Sequence, residues 1–138
     1  KPEQYADLYC FVRQQRQLFA GYEDAAFVLP DGGDERYPTD PPVAVSDASV
    51  AAIVRASPGK PESPVVIHLV DWRSEPQPFR LKIAARRFCR SGEVRAELRQ
   101  PGKPASQLDG HEGDNHVEYE IPRLEPWGVA VVTPSARP

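Results

Sequence analysis

Sixteen prolines spread over 138 residues restrict this chain more than any other feature of its sequence. Proline makes up about 5% of an average protein, so the chain carries more than twice its share. Because proline lacks a backbone N–H and its ring clashes inside a helix, it is excluded from helix interiors and from central strands. The residues between the prolines must therefore form short elements joined by many turns, which favours short strands over a helical bundle.

Several segments between these prolines alternate between apolar and charged residues. Such alternation is typical of antiparallel strands with one buried and one solvated face. Six strands are predicted in this way, at 50–56, 65–72, 79–83, 94–98, 117–121 and 127–131. A short apolar run at 26–29 makes a seventh. Six or seven strands at this spacing indicate a sandwich or a barrel. Of the two, we predict a mainly β fold, an antiparallel Greek-key β-sandwich.

The beginning of the chain has a different period. Apolar residues recur there at the spacing of one helix face, namely Tyr5, Leu8, Tyr9, Val12 and Phe19, with Phe11 and Leu18 widening the stripe. Pro2 suits the first turn of a helix and Gly21 suits its end. We therefore predict one N-terminal amphipathic helix over 3–20, and divide the chain into a linking helix at 1–22 and a β-sandwich module at 23–138. The stripe must be buried, either against the sandwich or against an upstream domain.

Charge and hydropathy limit the partners. A nucleic-acid-binding domain is expected to be clearly basic, whereas this chain has a net charge of −3. Its densest positive cluster, at 85–90, is interpreted as a solvated strand edge. No apolar run approaches the roughly 20 residues that span a bilayer. We expect neither nucleic acid nor a membrane as a partner.

The two cysteines, Cys10 and Cys89, lie far apart in the sequence. A disulfide between them would contribute about 4–5 kcal/mol in the chain-entropy model. Two buried free thiols fit the sequence equally well, because Cys10 has apolar neighbours and Cys89 follows Phe88. Neither cysteine has the spacing to a partner that metal sites show. Both alternatives stay open.

The stretch 109–116 is the richest in metal-ligand residue types, with two aspartates, one glutamate and two histidines. A cation site is one interpretation of this composition. A Gly-rich hairpin loop is the other, because Asp, Asn and Gly are the residues that such turns require. The spacing matches no EF-hand, since His111 interrupts the oxygen ligands. We predict the hairpin, with no metal and no other cofactor.

His68 and Asp71 form the most suggestive pair for acid–base chemistry. Such a pair must meet in a pocket with defined geometry. Strand alternation instead places His68, Val70 and Trp72 on one face and Asp71 on the other. The sequence also lacks the G-x-S-x-G, H-E-x-x-H, P-loop and G-x-G-x-x-G signatures. We predict a structural histidine, no catalytic residue and no enzymatic activity in this part of the parent protein.

Exposed aromatic side chains are the usual means of holding a sugar ring. Phe79, Tyr119 and Trp127 fall on the apolar side of their strands, and we expect them in the core. Tyr37, in a proline-rich loop, and Trp72, at a strand end, are the candidate carbohydrate-binding residues. Two such platforms correspond to a millimolar Kd, or about −4 kcal/mol.

The order of these segments resembles one group of proteins. Residues 5–13 (YADLYCFVR) and 18–22 (LFAGY) resemble the last barrel helix of TIM-barrel glycoside hydrolase-like proteins, which precedes a C-terminal sandwich. Residues 65–72 (VVIHLVDW) resemble the HLVNY-like strand of those sandwiches, with Asp71 where Asn is more usual. Residues 121–132 (IPRLEPWGVAVV) resemble their closing strand. The most similar examples are the C-terminal Greek-key domains of dextranase-like and related glycosidases.

The resemblance implies a non-catalytic C-terminal accessory module of a glycoside hydrolase-like protein. Its partner would be the upstream catalytic barrel of the same chain, which it supports, and the parent would be secreted or periplasmic. No functional residue carries over, because that family's catalytic carboxylates lie in the barrel. One alternative is a carbohydrate-binding module that contacts polysaccharide through Trp72 and Tyr37. Another is a small enzyme that uses His68 with Asp71, or a metal at 109–116.

Overall fold

The computed structural model describes residues 20–30, 32–60, 62–88, 94–125 and 127–134, and most of these residues lie in strands or tight turns. Among them eleven strands follow one another along the chain: β1 (Glu23–Leu29), β2 (Gly32–Gly33), β3 (Val43–Val45), β4 (Val50–Ala56), β5 (Val65–Asp71), β6 (Phe79–Ile83), β7 (Val94–Arg99), β8 (Ser106–Gln107), β9 (Gly110–Glu112), β10 (Val117–Ile121) and β11 (Trp127–Pro134). A 3-10 turn, Ala85–Arg87, follows β6.

The strands form two antiparallel sheets. The larger sheet has seven strands in the order β2-β1-β4-β5-β11-β7-β8, and the smaller has four in the order β3-β6-β10-β9. The last strand, β11, is inserted between β5 and β7, so the end of the chain completes the middle of the larger sheet. The predicted mainly β, antiparallel fold is confirmed.

One apolar core joins the two sheets. Every second side chain of the central strands points into it, as period-two alternation requires. The larger sheet contributes residues such as Ile67 and Leu69, and the smaller contributes Leu81, Ile83 and Ile121. Burying one such side chain stabilises the fold by about 1.5–3 kcal/mol. Two sheets facing each other across a shared core give the chain a β-sandwich-like fold.

The outer face of the larger sheet differs from the sequence prediction. Alternation predicts that this face is charged and solvated. Instead, Val66, Val129 and Val131 form a second buried cluster on the side of the sheet that faces away from the shared core. Tyr22 and Trp127 are half-buried and pack against this cluster. The central strands β5 and β11 are therefore apolar on both faces.

The predicted positions of three aromatic residues are partly confirmed. Phe79 and Tyr119 are buried in the shared core. The prediction for Trp127 is wrong, because its side chain lies on the outer face of the larger sheet. There its ring stacks on His68, with 6.2 Å between the ring centroids and 19° between the planes.

The predicted helix over 3–20 lies outside the described residues, apart from Ala20. That residue forms a turn with Gly21, whose φ of +78° is a left-handed conformation that favours glycine. Cys10 and Cys89 also lie outside the described residues. In the part of the chain that the structure describes, no helix is long and apolar enough to cross a membrane.

Candidate functional site

Trp72 is the most exposed large apolar side chain in the described part of the chain. It follows β5 directly, and the residue is 68% exposed. Its backbone N–H donates a hydrogen bond to the carbonyl oxygen of Ser49, at 3.0 Å. The indole therefore projects into solvent from a backbone position that is fixed to the neighbouring loop.

The two sequence neighbours of Trp72, Asp71 and Arg73, form an ion pair. Arg73 Nε donates to Asp71 Oδ1 at 2.9 Å, and Arg73 Nη2 donates to Oδ2 at 2.7 Å. The same guanidinium reaches Asp47 Oδ2 at 3.3 Å and the carbonyl oxygen of Gln77 at 2.7 Å. The hydrogen bonds from Arg73 hold the pKa of Asp71 below its usual value, although burial opposes this shift. We call this arrangement the Asp71–Arg73 clip.

Asp34 and Arg36 form a second clip with the same geometry. Arg36 Nε donates to Asp34 Oδ1 at 2.9 Å, and Arg36 Nη2 donates to Oδ2 at 2.6 Å. The backbone N–H of Arg36 also donates to Oδ1, at 3.1 Å. These bonds lower the pKa of Asp34. Neither clip was predicted from the sequence, although both share the spacing Asp-x-Arg.

Tyr37, the other candidate aromatic, is half-buried and packs against the shared core. The guanidinium of Arg87 lies 5.2 Å from its ring centroid, and that of Arg36 lies 5.7 Å away. Guanidinium groups at these distances are attracted by the negative face of the ring. Tyr37 therefore already has cationic side chains beside its ring, whereas Trp72 projects into solvent.

The structure does not bring Trp72 and Tyr37 together. Tyr37 lies beside Ala25 and Ala56, with which it lines a shallow groove at the end of β4. Trp72 lies beside Ser49, at the opposite end of β4. A strand rises about 3.3 Å per residue, so the length of β4 separates the two aromatics by about 20 Å. They cannot stack on adjacent sugar rings.

His68 and Asp71 do not form an acid–base pair. His68 lies on the outer face of the larger sheet against Trp127, whereas Asp71 is buried and bonded to Arg73. Burial lowers the pKa of His68, and the positive charge of Arg55 lowers it further. The histidine therefore favours its neutral form on a packed sheet face.

The stretch 109–116 forms the hairpin that one of the two interpretations predicts. It contains β9 and the turn into β10, and the backbone N–H of Gly113 donates to the carbonyl oxygen of His116 at 2.8 Å. Glu112 lies 3.6 Å from the guanidinium of Arg86. Among the described residues, no three His, Cys, Asp or Glu side chains are grouped so that they could hold a metal ion.

The segments 65–71 and 127–132 are neighbours in space. Residues 65–71 form β5, and residues 127–132 lie on β11, which pairs with β5 in the middle of the larger sheet. No family model matches the chain, and no curated protein matches it either. The geometry of the chain itself must therefore support any functional proposal.

Proposed function

We propose that this chain is a non-catalytic accessory β-sandwich module of a carbohydrate-active protein, which supports an upstream catalytic barrel of the same parent chain. A Greek-key connection of the strands and an amphipathic linking helix over 3–20 are parts of this proposal. The observation that supports it best is the apolar outer face of the larger sheet. A sheet face that meets solvent would be polar, whereas an apolar face suits a covering layer, which the linking helix would supply between the sandwich and the barrel.

The linking helix suits a position between two bodies. Its main stripe contains Leu8 and Val12, and this stripe is suited to the sheet. At 3.6 residues per turn, Phe11 and Leu18 lie roughly 100° or more around the helix from the middle of that stripe. Phe11 and Leu18 thus widen the stripe toward one side, so that the helix can contact the sheet and the barrel at once. We assign the Phe11 and Leu18 side to the catalytic barrel.

The use of the titratable side chains also supports a non-catalytic role. Asp71 and Asp34 have lowered pKa values because each is bonded to an arginine two positions along the chain. His68 lies on a packed sheet face rather than in a cleft. Catalytic acids and bases need to face a pocket that admits substrate. The shifted groups of this chain stabilise turns and sheet faces instead.

A substitution in the intact parent protein tests the accessory role. We expect Phe11→Glu to shorten several-fold the half-life of polysaccharide-cleaving activity on heating, because the barrel loses an apolar contact with the module. Gln17→Glu is the matched control, since Gln17 lies on the polar side of the helix, and it should leave the half-life unchanged. An unchanged half-life in Phe11→Glu would contradict the proposal. A parent protein without a polysaccharide-cleaving domain would contradict it as well.

A carbohydrate-binding module is the second candidate function, and the exposure of Trp72 favours it. An indole ring offers a large flat surface for stacking on a sugar. Because Ser49 and the Asp71–Arg73 clip fix the backbone on both sides, binding would order few additional groups, which limits its entropic cost. The partner in this case is a polysaccharide.

Substitution of Trp72 distinguishes this candidate from the first. If it is correct, NMR titration with soluble polysaccharides should give a millimolar Kd, or about −4 kcal/mol. Trp72→Ala should then weaken binding at least tenfold, because the described residues place no second exposed aromatic nearby, whereas Glu75→Ala should not change it. An absence of shifts with every sugar would exclude this function. Shifts centred on Tyr37 would move the site to the other end of the sandwich.

A further inference from the structure

The outer face of the larger sheet carries an apolar band along its two central strands. The strand register places Phe27, Ile53, His68 and Val129 in one row across the sheet. In the next row, Val66 and Val131 lie side by side between Arg55 and Glu97. Both rows have a valine on β11, and the second row adds Val66 on β5 beside it.

Ion pairs border the band on both sides. Arg55 on β4 lies 3.2 Å from Asp24, and Arg99 Nε on β7 donates to Glu97 Oε1 at 2.7 Å. The four strands from β4 to β7 span three inter-strand distances, or about 14 Å. An α-helix with its side chains is about 10–12 Å wide. The width between the charged borders therefore fits one helix.

The middle of the band is covered. Val66, Val129 and Val131 are each at most 2% exposed, although they lie on the side of the sheet that faces away from the shared core. Among the described residues, Tyr22 and Trp127 are the half-buried apolar side chains that pack against them. Valines on an outer sheet face need a layer above them to reach this burial, and two aromatic side chains cover only part of the band.

The chain enters this face at Tyr22. The hydroxyl of Tyr22 donates to the carbonyl oxygen of Pro64 at 2.8 Å, and Arg55 Nη2 donates to the carbonyl oxygen of Tyr22 at 2.8 Å. The turn at Gly21 comes immediately before it. The segment that precedes this turn therefore starts at one end of the band. As a helix, residues 3–20 would be about 27 Å long, close to the roughly 23 Å length of a seven-residue strand.

We propose that residues 3–20 form an amphipathic helix that lies along this band, with the stripe that contains Leu8, Tyr9 and Val12 facing the sheet. The helix is thus the third layer of the module, and Tyr22 is its anchor. This position of the helix on the larger sheet goes beyond the accessory role. It does not depend on the nature of the parent protein, because it concerns the sheet side of the helix and not the side that contains Phe11.

The fluorescence of Trp127 reports directly whether the outer face of the larger sheet is covered. The chain has two tryptophans, so Trp72→Phe leaves Trp127 as the only one. In that background, we expect Leu8→Glu to shift the emission of Trp127 to longer wavelength and to raise its acrylamide quenching constant at least twofold. Gln17→Glu, on the polar side of the helix, should change neither. Unchanged Trp127 fluorescence in Leu8→Glu would overturn the proposal.

A cross-linking experiment tests the same contact in a folded chain without a buried charge. A benzophenone side chain at position 9 should, on illumination, form an intramolecular cross-link to peptides from β5 or β11, identified by mass spectrometry. A cross-link to a second copy of the chain would overturn the proposal, because a different molecule would then occupy the band. A folded chain without cross-links to either strand would overturn it too. Since neither readout involves Phe11, failure of the accessory role would leave both unaffected.

Discussion

Asp71→Ala is expected to lower the free energy of unfolding by about 3 kcal/mol, because it leaves the guanidinium of Arg73 without its main partner. The side chain of Asp71 is fully buried and accepts hydrogen bonds from Arg73 Nε, Nη2 and the backbone N–H. Arg73 is 18% exposed and keeps its contact with Asp47 in the variant. Water and the Asp47 carboxylate therefore still stabilise part of the charge of Arg73, which limits the loss of stability. Urea unfolding of both proteins at pH 7 measures the difference.

Asp34→Ala is the matched control, because it removes a carboxylate from a clip with the same hydrogen bonds. Arg36 is 53% exposed, compared with 18% for Arg73. Water can therefore solvate the released guanidinium of Arg36, and the loss of stability should be clearly smaller. Equal losses in the two variants would show that burial of the arginine does not determine the strength of the clip.

The effect of Asp71→Ala should also depend on pH. Arg73 lowers the pKa of Asp71 in the folded chain below its value in the unfolded chain. The clip therefore contributes its full share of the free energy of unfolding above the pKa of Asp71 in the unfolded chain, about 3.9. This contribution is lost as the pH falls through the pKa of Asp71 in the folded chain. The difference in unfolding free energy between the wild type and Asp71→Ala should stay constant from pH 7 to pH 5 and shrink below about pH 4. A difference that does not change down to pH 2 would contradict this assignment.

The strands could be predicted from sequence because burial on one face gives a period of two. The segment predicted at 50–56 is β4 (Val50–Ala56), and the segment predicted at 117–121 is β10 (Val117–Ile121). Alternation of apolar and polar residues does not predict strands whose side chains are all exposed. The strands β8 and β9 contain two and three residues, all exposed, so no apolar pattern marks them. Their pairing depends on backbone hydrogen bonds to longer neighbours.

The outer face of the larger sheet could not be assigned by the same rule. A strand such as β5, whose residues 65–70 are almost all apolar, has no polar side to identify its outer face. The prediction that Trp127 lies in the core failed for this reason, since its strand β11 is also apolar on both faces. A continuous apolar run is nevertheless a signal of burial on both sides. Read in that way, β5 and β11 would have predicted a layer on each face of the sheet.

The candidate site was predicted only in part. The exposed position of Trp72 follows from its place after the last residue of a strand. The role of Asp71 does not follow from its strand position, because its partner is Arg73, two residues away in a turn, and not the more conspicuous His68. Such local ion pairs depend on backbone geometry after the strand ends, which residue types alone do not specify.

Val131→Asp is expected to lower the free energy of unfolding by about 3–4 kcal/mol, because it places a carboxylate in the covered part of the band. Thr133→Asp is the matched control. Thr133 lies two residues further along β11, on the same outer face, but it is exposed. The same charge at Thr133 should therefore change stability by less than about 0.5 kcal/mol. Urea unfolding at pH 7 gives both values.

The two substitutions together determine whether the outer face is covered in solution and by what. A small loss in Val131→Asp, similar to that in Thr133→Asp, would mean that water reaches the band, and the proposed third layer would then be wrong. A large loss in Val131→Asp, together with unchanged Trp127 fluorescence in Leu8→Glu, would mean that the band is covered by something other than residues 3–20. Only a large loss at Val131 combined with increased exposure of Trp127 in Leu8→Glu assigns the cover to the N-terminal segment. That combination would make the module a three-layered unit, in which the helix joins the larger sheet to whatever precedes it.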